Sequence, residues 1–348
     1  MRLSRNRIRA RVNHDLPIRF SEESISAHGG LELFRRYLVA IDLPARLRRA
    51  LGDAGDYGAV RMVLLVVGLL LAGGRRLAHL AVLSHDPIFL RFAGVHRLPA
   101  DRTVARWMAG AAQTVIEAVA SVVRDVAHEA IDSLGLARLT LDLDGTVLRV
   151  CGSAEGAERG FNPHHPKDRS YYPLTAHLAQ TGHLLRSWNR PGNVHDSHNA
   201  DGFLRTVLAD LRARFGNRHR LEVRLDGAFF DPKILHFLDG ESLGYAIKVP
   251  LWKWLGVREK IASRRQWTRV DGTVSGFALT LAIPQWERTQ RVIVYRKRVF
   301  HETARNFQLD LFSPDDGHFE YSAVATNLNL GVAALWHFMA GRGGHEKT

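Results

Sequence analysis

Two carboxylates stand two residues apart in the stretch LTLDLDGTVL at 139–148. Apolar and polar residues alternate there with the period of a β-strand, so Asp142 and Asp144 share a face and aim two negative charges at one spot. Carboxylates this close repel one another and lose hydration when partly buried, so they need a cation, either Lys and Arg partners or a divalent metal. The strand holds no basic residue before Arg149, which favours the metal. A third carboxylate, Asp226, closes the expected strand LEVRLD at 221–226, just before Gly227 and a helix expected over 231–238. Strand ends beside helix starts are common places for catalytic groups in α/β sheets.

The chain that must position these groups has 348 residues, 46% hydrophobic and 24% charged, enough for two domains and a sizeable core. Its net charge of +13 favours a polyanionic partner, nucleic acid rather than a membrane, although a basic enzyme without such a partner has the same composition. One cysteine, Cys151, excludes an internal disulfide framework and a cysteine-built zinc site, and fits a cytoplasmic protein. His164, His165, His177, His183, His195 and His198 cluster in sequence, but without cysteine partners they read as phosphate contacts or loop hydrogen bonds before zinc ligands. No signal peptide is visible, and the most apolar run, 62–74, is shorter than the roughly 20 residues a membrane span needs. It reads as a buried helix.

Residues 1–20 carry six arginines, an arm able to lie along phosphates. From 21 to 134 the apolar spacing is helical, with long amphipathic stretches at 30–49 and 103–130. Within it, LPADRTVARW at 98–107 reads as a turn and a helix with Arg102 and Arg106 near its start, the placement of a helix-turn-helix, though short-looped helix pairs occur in any bundle. After Gly135 strands are expected at 170–179 and 184–189, then the loop RPGNVH at 190–195 and a helix at 199–215. Residues 243–329 are strand-rich, with Trp252, Trp254, Trp267 and Trp286 among basic residues, as core or as stacking platforms for bases. A helix is expected over 331–347.

The ordered set of an Asp-Gly-Thr strand, GFNP at 160–163, SYYP at 170–173, RPGNVH at 190–195, DGAF at 226–229, ATNL at 325–328 and GRGGHE at 341–346 resembles bacterial insertion-sequence DDE transposases. The resemblance implies an α/β fold: a ribonuclease-H-like catalytic core interrupted by a β-rich insertion and preceded by an all-α N-terminal domain. The expected divisions are 1–134 (DNA-binding), 135–242 (first part of the core), 243–329 (insertion) and 330–348 (core helix). It implies a catalytic and metal-binding triad of Asp144, Asp226 and Glu346, with Asp142 as a further candidate ligand. Two Mg²⁺ ions, or Mn²⁺ in their place, would serve phosphodiester cleavage and strand transfer. Double-stranded DNA, as terminal inverted repeats and target, would be the partner of a homodimer, with Arg342, Arg190, His195, Arg102 and Arg106 contacting it. Glu346 is followed only by Lys347 and Thr348, where the family continues its helix, so the resemblance implies a truncated element. Two other readings stay open: a non-catalytic DNA-binding remnant, and a haloacid-dehalogenase-like phosphatase with Asp142 as nucleophile and Asp144 as general acid.

Overall fold

The computed structural model of the chain describes residues 26–52, 54–150, 152, 154–160, 162, 165, 167–299, 313–314 and 319–342. They form two compact units, divided in sequence between Val122 and Val123. The arginine-rich arm of residues 1–20 lies outside the described residues.

The first unit is helical: α1 (Gly30–Ala40), α2 (Leu43–Leu51), α3 (Ala59–Leu71), α4 (Leu80–Leu83), α5 (Pro87–Ala93), α6 (Asp101–Ala109) and the first part of α7 (Gln113–Leu134). The apolar run becomes α3, whose Val60, Met62, Leu64, Leu65 and Leu69 are buried. Gly68 lets α5 come close, since a methyl there would lie 2.7 Å from the Phe92 ring. Asp86 starts α5 by accepting the Phe89 N–H at 2.8 Å, with Pro87 in the first turn, where its missing N–H costs nothing. Both long helices expected from periodicity are broken. The stretch at 30–49 turns at Asp42, which takes a left-handed φ of 55°, and the stretch at 103–130 is interrupted after the cap at Gly110. Among the described residues no helix is long and apolar enough to cross a membrane.

The second unit is mixed α/β. Its elements are β1 (Arg138–Gly145), β2 (Leu148–Arg149), β3 (Glu158–Arg159), β4 (Arg169–Tyr171), β5 (Leu174–Leu178), β6 (Leu184–Trp188), α8 (Ala200–Phe215), β7 (Arg220–Leu225), α9 (Pro232–Gly240), β8 (Gly244–Val249), α10 (Val257–Ala262), β9 (Thr268–Arg269), β10 (Val274–Ile283), β11 (Arg288–Arg298), β12 (Ser313–Pro314), β13 (Phe319–Thr326) and α11 (Val332–Ala340). One large mixed sheet runs in the order β6-β5-β1-β7-β8-β13-β11-β10-β9, with β12 beside β13; β2, β4 and β3 form a small separate sheet. β1, β7 and β8 are parallel, and the other pairings of the large sheet are antiparallel. The strands expected at 243–329 therefore continue this sheet. The strand expected at 170–179 splits at Tyr172-Pro173 into β4 and β5, which join different sheets; proline cannot donate to a ladder.

Alternation along β1 separates the two faces. Leu139, Leu141 and Leu143 are buried in the main core with Phe203, Leu204, Val207, Leu208 and Leu211 of α8. Asp142 and Asp144 point the other way, to the face on which Leu335 of α11 packs with Ala246, Ile293, Tyr295 and Val324.

Candidate active site

The register of three parallel strands builds the site. Asp142 of β1 lies opposite Arg224 of β7, Arg224 opposite Ala246 of β8, and Leu225 opposite Ile247. Two residues further along each strand come Asp144, Asp226 and Lys248, a second row at the ends of β1, β7 and β8. Asp226 lies one residue past β7 and is oriented by its own turn, its Oδ1 accepting the Ala228 N–H at 2.9 Å.

The two rows have different chemistry. In the first, Arg224 and Asp142 form a buried two-pronged ion pair, with Nε to Oδ1 at 2.7 Å and Nη2 to Oδ2 at 2.6 Å. In the second, Asp144 and Asp226 are 39% and 31% exposed and converge on one nitrogen of Arg342: Nη2 is 3.1 Å from Asp144 Oδ1 and 3.6 Å from Asp226 Oδ2. Arg342 Nη2 also reaches the Leu143 carbonyl at 3.4 Å, while its Nε is buried without a hydrogen-bond partner among the described residues. Arg342 arrives there because α11 ends just before it. Arg224 Nη1 donates to the Phe338 carbonyl at 2.6 Å, and a methyl on Gly341 would lie 2.6 Å from that same Nη1. Gly341 thus lets the end of α11 settle on Arg224.

Behind Asp144 lies a buried polar scaffold. The Tyr172 hydroxyl donates to Asp196 Oδ2 at 2.7 Å, and a methyl on Gly145 would sit 2.1 Å from Asp196 Oδ1 and 2.8 Å from the Tyr172 ring. Burial pushes the Tyr172 phenol above its ordinary range, and the Asp196 charge adds to the shift. Burial also raises the Asp196 carboxyl, opposed by the Tyr172 hydrogen bond. The Arg190 guanidinium, 1% exposed, donates to the carbonyls of Tyr172, His195, Asp196 and His198 at 3.1–3.3 Å. Gly160 and Gly192 bring two loops into backbone contact, since a methyl on Gly160 would lie 1.9 Å from the Gly192 carbonyl oxygen.

The residues singled out by sequence divide accordingly. Asp144, Asp226 and Arg342 come together. Glu346 lies outside the described residues. Asp142 stands on the same face as Asp144, but Arg224 engages both its oxygens; the cation that β1 lacked comes from the neighbouring strand. Such a carboxylate is poorly placed as a metal ligand and as a phosphatase nucleophile. Arg190, expected to contact DNA, is buried, with its Nε and Nη1 donating to loop carbonyls. His195 is exposed, its Nδ1 2.9 Å from Ser197 Oγ, and Arg102 and Arg106 are exposed on α6, so all three remain accessible to a ligand. Trp267 packs edge-on against Phe277, whereas Trp252 and Trp254 are 40% and 46% exposed and stack at 5.4 Å.

Sequence reading gave Arg224, Lys248, Asp196 and Tyr172 no place beside Asp144 and Asp226. For Arg224 and Lys248 a signal existed, a charged residue at alternate positions of otherwise apolar strands. Asp196 and Tyr172 meet only through loops, which no periodicity reports. Among the described residues, no group of three or more His, Cys, Asp or Glu is arranged to hold a metal ion.

A solved chain from the cryo-electron microscopy structure of a piggyBac transposase synaptic complex with hairpin DNA is similar to this chain, with a TM-score of 0.40 and 9% sequence identity. The match covers 98% of this chain and 62% of that one, so this chain spans less than two thirds of that protein's length. No curated protein matches the sequence. The profile described as transposase DDE domain group 1 matches residues 9–319, most of the chain, and the chain belongs to that family.

Proposed function

We propose that this chain is a DDE-type DNA transposase that cleaves and transfers phosphodiester bonds at the ends of an insertion sequence. The observation that carries the reading is the convergence of Asp144 and Asp226, from separate strands, on a single nitrogen of Arg342. The strand order β6-β5-β1-β7-β8, with β5 antiparallel to both β6 and β1 and with β1, β7 and β8 parallel, supports a ribonuclease-H-like core whose inserted strands extend its sheet.

Asp144 and Asp226 fit a divalent ion in chemistry and access. They offer hard oxygen donors, and both are partly exposed at the ends of their strands. Together with Glu346 they would hold Mg²⁺. Held there, two such ions would supply activation of the attacking oxygen at neutral pH and neutralisation of charge on the leaving oxygen. The chain's own residues do the rest. Arg224 and Asp142 fix the spacing of β1, β7 and the end of α11. Arg342 balances the carboxylate charge and offers a guanidinium suited to a phosphate oxygen. The net charge of +13 and the exposed arginines of α6 suit duplex DNA, for which a homodimer is the proposed assembly.

The test is nicking of supercoiled plasmid by the full chain in Mg²⁺ or Mn²⁺. Asp144→Asn, Asp226→Asn and Glu346→Gln should each abolish nicking while duplex binding is retained. Nicking that survives loss of Asp144 or Asp226 overturns the proposal. Binding without metal-dependent nicking in the unaltered chain would identify a DNA-binding protein only. A phosphatase is disfavoured by the Asp142–Arg224 pair, and a phosphoaspartate trapped on Asp142 would reinstate it.

A further inference from the structure

We infer that Lys248 is a substrate-contacting residue of this site, holding a non-bridging phosphate oxygen of the DNA strand being cut. The inference rests on the phosphodiester-cleaving reading above and assigns it one more group. Lys248 stands on β8 one residue past Ile247, which pairs with Leu225, so it neighbours Asp226 across two parallel strands. Its face is the functional one, because Ala246, two residues earlier, packs beneath Leu335 of α11. Lys248 itself lies beyond that apolar cover, at the level of Arg342. Half-buried, it makes no ion pair with a described residue, although Asp226 is near enough to attract it and Arg342 near enough to repel it. Burial lowers its ammonium below the ordinary range, and Asp226 only partly offsets this.

The two cations of the row stand in different places. Arg342 commits Nη2 to both carboxylates and to the Leu143 carbonyl. A phosphodiester entering the row brings a further negative charge, and its transition state spreads more charge over the non-bridging oxygens. Lys248 adds a second cation to the row, in no ion pair with a described residue, on the opposite side of Asp226 from Asp144. A lysine that only neutralised Asp226 would act on metal affinity and leave the phosphate untouched.

The experiment compares the full chain with Lys248→Ala, Lys248→Gln and Lys248→Arg; Lys248→Gln keeps the stem and guards against a folding defect in Lys248→Ala. Mn²⁺-dependent nicking of supercoiled plasmid gives kcat and KM, Mn²⁺ affinity is read by electron paramagnetic resonance, and anisotropy of a fluorescein-labelled duplex in EDTA gives the salt dependence of binding. Lys248→Ala and Lys248→Gln should lose roughly 10- to 100-fold in kcat/KM, the range for a hydrogen bond to a charged group, with Lys248→Arg recovering most of it and Mn²⁺ affinity little changed. The slope of log K against log salt should fall by about 0.9, one phosphate contact. Unchanged kcat/KM, or tighter Mn²⁺ binding with nicking retained, overturns the inference. If the unaltered chain does not nick, the cleavage reading fails by itself, and the duplex slope decides Lys248: a lost contact supports it, and an unchanged slope removes it.

Discussion

Arg224 joins Asp142 on β1 to the last turn of α11, spending Nε and Nη2 on the carboxylate at 2.7 and 2.6 Å and Nη1 on the Phe338 carbonyl at 2.6 Å. Removing one partner of a buried, hydrogen-bonded ion pair leaves the other charge uncompensated, at a cost of about 3–5 kcal/mol, whereas replacing both by apolar groups is often nearly neutral. Arg224→Met should therefore destabilise strongly in urea titrations, and Arg224→Met combined with Asp142→Leu should recover most of the loss. Metal-dependent nicking should stay low in both, because neither restores the anchor that delivers Arg342. Full activity in the double variant would show that Arg224 acts only through stability.

Gly145 follows Asp144 directly, and its hydrogen side faces Asp196 Oδ1 and Tyr172. Gly145→Ala forces a methyl to within 2.1 Å of that oxygen, so the Tyr172–Asp196 hydrogen bond must shift. The expected cost is about 1–3 kcal/mol of overpacking, read as a lower urea midpoint. Asp196→Ala in the same chain should return part of it, as coupled neighbours do in a double-mutant cycle. Strict additivity of the two changes would mean that Gly145 is glycine for some other reason.

The Gly145 contact also shows where sequence reading was informative and where it stopped. Alternation in 139–148 was enough to put Asp142 and Asp144 on one face, and Asp226 at a strand end followed from apolar spacing with Gly227 after it. Periodicity says nothing about what stands on the next strand. Arg224 could not be matched to Asp142 without the β1–β7 register, so Asp142 and Asp144 read alike. The glycines and Arg190 that carried the resemblance turn out to pack loops behind Asp144, and their backbone contacts depend on chain paths that no local pattern encodes. Lys248 joins the row only through the pairing of β8 with β7, which no local pattern encodes.

In the helical unit, Glu32 of α1 is held at about 2, mainly by its hydrogen bonds to Arg35, with Arg36 and Arg91 of α5 adding to the effect. A carboxylate with a depressed folded value contributes stability that is present above its unfolded value and lost as pH falls through the folded one. The contribution should be complete at neutral pH, begin to fade below the ordinary glutamate value of 4.5 and be gone below about 2. Thermal unfolding of Glu32→Gln against the unaltered chain checks this. The gap between them should narrow over that acid window, and a gap that instead widens on acidification would show that Glu32 is not charged by its arginines.

Arg342 occupies the position between Asp144 and Asp226 that a cation would seek, so guanidinium and the proposed divalent ion would compete for the same oxygens. Even with water-like screening, a unit charge at about 4 Å contributes roughly 1 kcal/mol, and the partly buried setting raises that figure. Arg342→Gln should accordingly tighten Mn²⁺ binding by about fivefold or more while lowering the nicking rate, because the phosphate loses its guanidinium. Asp144→Asn and Asp226→Asn should weaken Mn²⁺ binding in the same titration. The opposed signs make the experiment diagnostic: a variant that binds metal better and cuts worse requires Arg342 to act on the substrate, whereas loss of both would make it a strut for the carboxylates.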